Sequence, residues 1–163
     1  MGETAGTEWK DAKWNRIEFV FASASAMEIT EFSVRGLPVP QGSTRAFVVK
    51  GRPVITSTSK GLSSWRHLIA SEAQRHATRI YHGPVIVFLS FYLPKPKSAP
   101  KSLKYMTKRP DLDKLIRAVL DGITHVLLRD DSQVVAVFAQ KEYGDPGVIV
   151  QVSEVSTKES EKP

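Results

Sequence analysis

The chain has 163 residues and no cysteine, enough length for one domain with a real core and no means of building a disulfide framework, a thiolate metal site or a cysteine nucleophile. This fits a reducing, cytoplasmic setting, and the longest apolar run, Val85 to Leu93, is too short to cross a membrane as a helix. The net charge of +6 is unevenly spread: residues 35–109 hold 14 Lys and Arg against the single Glu72, whereas five aspartates crowd into Arg109 to Val135.

In chain order, residues 1–26 lack a clean period and are expected to be a disordered leader. The folded domain is expected over residues 27–155, and residues 156–163 read as a disordered tail. Glu28 to Arg35 alternates as a strand with Ile29, Phe32 and Val34 as its apolar positions, although the phase slips once. The Pro-rich "GLPVPQGS" is a loop, and Arg45 to Thr56 reads as a hairpin turning near Lys50-Gly51-Arg52. From Ser59 to Gly83 a helix is expected, with Leu62, Trp65, Leu68, Ile69, Ala73, Ala77 and Ile80 at helical spacing and Gly83-Pro84 as its stop. Trp65 at that spacing is a core residue rather than a base-stacking platform.

Pro84 to Pro94 is apolar on both faces, as a central strand should be. A long loop rich in Pro and Lys follows and leads into a second helix, Asp111 to Leu128. Its apolar stripe is Leu112, Leu115, Ile116, Val119, Leu120, Ile123 and Leu127. Asp113, Arg117 and Asp121 share the opposite side, within an arc of about 80°. Two strands, Ser132–Tyr143 and Gly147–Val155, are expected to form a hairpin about "GDPG". The fold class is therefore α+β: one domain, a mixed sheet carrying two principal helices.

Each aspartate has a plain structural reading. Asp111 suits a helix N-cap, Asp113 the positive end of a helix dipole, and Asp130-Asp131 a turn before a strand. A helix packed on a sheet would also bring the two groups to one place. Carboxylates held about 4 Å apart repel by roughly 4 kcal/mol at an effective dielectric near 20. A divalent cation removes that repulsion, and all-oxygen ligands favour Mg²⁺, with Mn²⁺ able to substitute, over zinc. Such a cation activates water and binds phosphate oxygens, so acids inside a basic chain suit metal-dependent phosphodiester cleavage. No GxxxxGK[ST] or GxGxxG loop points to a nucleotide cofactor, and the four histidines show no ligand spacing.

"PDLDKLIRAVLDGITHVLLRDDSQV" resembles the RusA family of Holliday junction resolvases, whose pattern runs Asp-x-Asp-Asn-Leu-x-Lys, Leu-Asp-x-Leu, then Asp-Asp-x-x-Val. "GLPVPQGSTRAF", "FYLPKPKS" and "VVAVFAQKEY" extend the likeness over roughly residues 28–153. The resemblance, to a family common in prophages and phages, implies an Mg²⁺-dependent endodeoxyribonuclease that acts as a homodimer and cuts four-way junctions by paired nicks during recombination and repair. It assigns Asp111, Asp113 and Asp131 to metal, places Arg117 where the family has its catalytic lysine, and makes Asp121 and Asp130 supporting residues. Arg45, Lys50, Arg52, Lys60, Arg66, Lys95, Lys97, Lys114 and Lys141 are the expected DNA-facing cations. Two residues depart from the pattern: Lys114 stands for Asn and Arg117 for Lys. The alternative they favour is a junction-binding protein of the same fold with weak or no cleavage. A metal-dependent phosphohydrolase acting on nucleotides fits the long basic loops less well.

Overall fold

The computed structural model describes residues 28–42, 44–49, 51–57, 59–103 and 105–155. The expected leader and tail, and Lys50, lie outside these residues, as does the side chain of Arg45. The elements in chain order are β1 (Ile29–Arg35), β2 (Thr44–Val49), β3 (Arg52–Ser57), α1 (Leu62–His76), β4 (Val85–Leu93), α2 (Leu112–Ile123), β5 (Val134–Tyr143) and β6 (Gly147–Glu154). A 3-10 turn, Asp131–Gln133, leads into β5. The architecture is α+β, a mixed four-stranded sheet in the order β1-β6-β4-β5 with a separate β2-β3 hairpin.

Apolar patterning sets the layers. β4 lies inside the sheet, which is why its run is apolar on both faces. Leu62, Trp65, Ile69 and Ala73 of α1, and Leu115, Ala118, Val119 and Ile123 of α2, pack with one face of the sheet in a single core. Trp65 is a core residue, as expected. The two helices approach closely at Gly122, where a Cβ would meet Ile69 Cγ2 at 2.9 Å. Gly51, at φ 76°, makes the expected β2–β3 turn.

Four expectations change. The phase slip in β1 resolves in favour of Thr30, which is buried and shares a 2.7 Å hydrogen bond with the Tyr81 hydroxyl, while Ile29 is 47% exposed. α1 stops at His76, before Gly83, because Tyr81 enters the core and its N–H donates to Leu127 O; Leu68 and Ile80 are exposed. α2 stops at Ile123. His125 takes a left-handed φ of 67°, and the turn after it still buries Leu127 and Leu128.

Finally, β5 and β6 do not form a hairpin with each other. β4 lies between them, parallel to β5 and antiparallel to β6. The short link crosses the end of β4, with Gly144 N–H donating to Leu93 O at 2.9 Å. Gly144 makes the crossing possible, since a Cβ there would come within 2.9 Å of the Tyr92 ring. Turn residues fix where the chain reverses but not which strand lies beside it.

Candidate active site

The loop before α2 is held from below. The Lys141 ammonium, near the end of β5, donates to the backbone carbonyls of Lys108 and Pro110, each at 2.7 Å. The Arg109–Pro110 peptide between them is cis. Lys141 thus anchors the chain that carries the aspartates, a different task from the DNA-facing one expected of it. Lys95 likewise spends two donors on Lys101 O and Leu103 O and shapes the lysine-rich loop.

Asp111 occupies the N-cap position of α2, yet its side chain makes no cap hydrogen bond. Its carboxylate instead pairs with Lys114 Nζ at 2.9 Å. The Lys114 hydrogen bond and charge, with smaller help from Arg109 and Lys141, hold the Asp111 carboxyl below the usual carboxylate range. Asp113, in the first turn of α2, is exposed, and so is Arg117 one turn later on the same side.

Asp121 has a different environment from Asp113 and Arg117. It is half-buried and bound to Arg66 of α1, whose guanidinium also donates to Gln41 Oε1. Gln41 N–H in turn donates to Lys114 O at 2.9 Å. Arg66 is an expected DNA-facing cation and Asp121 an expected supporting residue; in the structure they join α1, α2 and the Pro-rich loop. Gln41 has no sequence signature of its own, being an amide in a Pro-Gly loop. The signal was its place in "GLPVPQGS", next to a turn that had to dock somewhere.

Asp130 and Asp131 lie beyond the other end of α2, whose 12 residues span about 18 Å. Asp130 caps the 3-10 turn: Ser132 N–H donates to its Oδ1 at 2.8 Å, and the Ser132 hydroxyl, together with that N–H, lowers its pKa. Gln133 completes the reciprocal cap by accepting from Asp130 N–H, and reaches Tyr81 O and Gly83 O with its amide nitrogen. Asp131 is exposed. One chain therefore does not bring Asp111 and Asp113 together with Asp131. Among the described residues, no three His, Asp or Glu side chains are grouped to hold a metal ion. Helix-on-sheet packing was expected to unite them, but the acidic groups flank opposite ends of the helix.

The donors themselves suit a hard cation. Asp111 and Asp113 are exposed carboxylates at a helix start, the oxygen donors that a hard cation takes. Of the remaining expected DNA contacts, Arg52, Lys60 and Lys97 are exposed, and Lys114 is the partner of Asp111. No helix among the described residues is long and apolar enough to cross a membrane.

Residues 36–153 match the family model described as endodeoxyribonuclease RusA. The sequence is also 32% identical over 141 residues to the uncharacterized protein YqaN of Bacillus subtilis (strain 168), a match covering 80% of this chain and 99% of YqaN. With the loop, the helix-start aspartates and the Asp-Asp turn all falling inside the matched span, the chain belongs to the RusA endodeoxyribonuclease family.

Proposed function

We propose that this protein is a divalent-metal-dependent endodeoxyribonuclease that resolves four-way DNA junctions as a two-fold homodimer. The observation that carries the reading is Asp111: a residue at an N-cap position whose carboxylate makes no cap hydrogen bond and stays exposed, paired with Lys114, two residues before the equally exposed Asp113. The nuclease unit is taken as residues 27–155.

The site residues proposed for the cation, Mg²⁺ or Mn²⁺, are Asp111, Asp113 and Asp131. When bound, the cation supplies water activation and charge neutralisation at the phosphate. Because Asp131 stands beyond the far end of α2, two chains related by a two-fold axis are the means by which the carboxylates would meet. A four-way junction is itself nearly two-fold symmetric, and a dimer offers two equivalent sites for paired nicks. Arg117 contacts the scissile phosphate. Its guanidinium remains protonated, so it stabilises developing charge and does not shuttle a proton. Arg52, Lys60 and Lys97 contribute phosphate contacts on the outside.

The test is cleavage of a labelled four-way junction with Mg²⁺, Mn²⁺ or EDTA, with linear duplex and Asp113→Asn alongside. Symmetric nicks that need metal and vanish in Asp113→Asn are expected; uncut junction under every metal would sink the nuclease reading. A second reading, a junction-binding protein with weak cleavage, is favoured by the ion pair of Lys114 with Asp111, which sets an ammonium on a proposed metal ligand.

A further inference from the structure

A hollow of about 660 Å³ opens directly beside Asp111, between the Leu37–Gly42 loop and the start of α2. Leu37, Pro38, Pro40 and Leu93 form apolar walls, and Gln41 and Arg109 add polar groups. Asp111 and Lys114 also line it. We propose that this hollow receives a nucleobase turned out of the DNA stack next to the phosphate that is cut. The proposal rests on the nuclease reading and adds a subsite to it.

Three observations converge. First, the chemistry is divided. Apolar proline and leucine surface suits the flat face of a base, while Arg109 and Lys114 suit the phosphates on either side of it. A bare anion would leave the apolar walls unmatched, whereas a nucleotide joins a flat apolar base to a phosphate. Second, the hollow is held in place. Gln41 N–H bonds Lys114 O, Arg66 grips the Gln41 side chain, and Gly36 N–H donates to Pro146 O at 3.0 Å, so the loop is fastened at both ends. Ligand sites are commonly preformed in this way. Third, the location selects the ligand. The hollow shares Asp111 with the proposed metal site, so a nucleotide attached to the reacting phosphate lies within reach of it. At a branch point, stacking is already interrupted, so turning a base out costs least there.

The experiment measures binding in EDTA, independently of cleavage, using the full chain. Four-way junctions carrying one abasic nucleotide at successive positions around the branch are compared with the intact junction. Wild type is expected to lose about tenfold in affinity when the abasic position is the one beside the cut. Leu37 is 57% exposed, so Leu37→Trp adds bulk at the mouth without disturbing the core. This plugged variant is expected to bind abasic and intact junctions alike. If the junction is bound but no abasic position weakens wild type, or if Leu37→Trp retains the full loss, the proposal is overturned. If no junction is bound at all, the nuclease reading fails and free nucleotides decide the hollow. NMR shifts at Leu37, Gln41 and Lys114 on adding a deoxynucleoside monophosphate would uphold it, and none with any of the four would overturn it.

Discussion

Lys114 and Asp111 show how one substitution can adjust a site without removing it. The family pattern has Asn where this chain has Lys114, and the ammonium stands on the carboxylate proposed to bind metal. Lys114→Asn is expected to raise the Asp111 pKa toward the ordinary carboxylate range, read by NMR titration. Its acid limb then moves to higher pH, because the charge that favoured ionisation is gone. At neutral pH Asp111 is ionised in both proteins, so the variant is expected to bind Mg²⁺ more tightly and to cut faster; unchanged metal affinity would show that the ion pair is no obstacle. Glu154 offers a second residue-scale test. Backbone N–H groups of Gly83 and His82, at 2.6 and 3.1 Å, together with Arg79 depress its pKa. A depressed folded pKa contributes stability above the unfolded carboxylate pKa, lost as pH falls through the folded value. Glu154→Gln is expected to cost about 1 kcal/mol at pH 7 and little near pH 2, measured by urea unfolding at both. A cost that does not change with pH would remove the charge from the explanation.

At the scale of elements, α1 and α2 meet through Gly122 and the Arg66–Asp121 pair. Gly122→Ala would gain helix propensity, about 1 kcal/mol, but its methyl meets the Ile69 side chain at 2.9 and 3.0 Å. Overpacking of this kind costs roughly 1–3 kcal/mol, so a net lowering of the urea midpoint is expected. A higher midpoint would show that Ile69 yields freely. The two helices and β4 were legible in the sequence because burial imposes a period on each. Their ends were not, because Tyr81 and Leu127 are placed by contacts far away in sequence. The same holds for the aspartates. Their clustering was readable, but Asp121 was taken by Arg66, a residue 55 positions earlier, and no local pattern records that pairing.

The whole molecule carries the proposal that two chains build each site. Asp113→Asn and Asp131→Asn are each expected to be inactive alone. Mixed and allowed to exchange subunits, they would form dimers with one intact and one doubly altered site, so single nicks would reappear. Continued silence after proven exchange would overturn the shared site.

The crossing at Gly144 has a further consequence for how the chain acquires its shape. β6, the last strand described, is also the one that joins β1 to β4. Until it arrives, β1 has no sheet partner among the described residues, and the two helices cover a sheet still missing an inner strand. A nascent chain leaving the ribosome therefore cannot complete its core by stages from its N-terminal side. It must hold β1 open until residues 147–154 emerge, then close the gap in one late, long-range step.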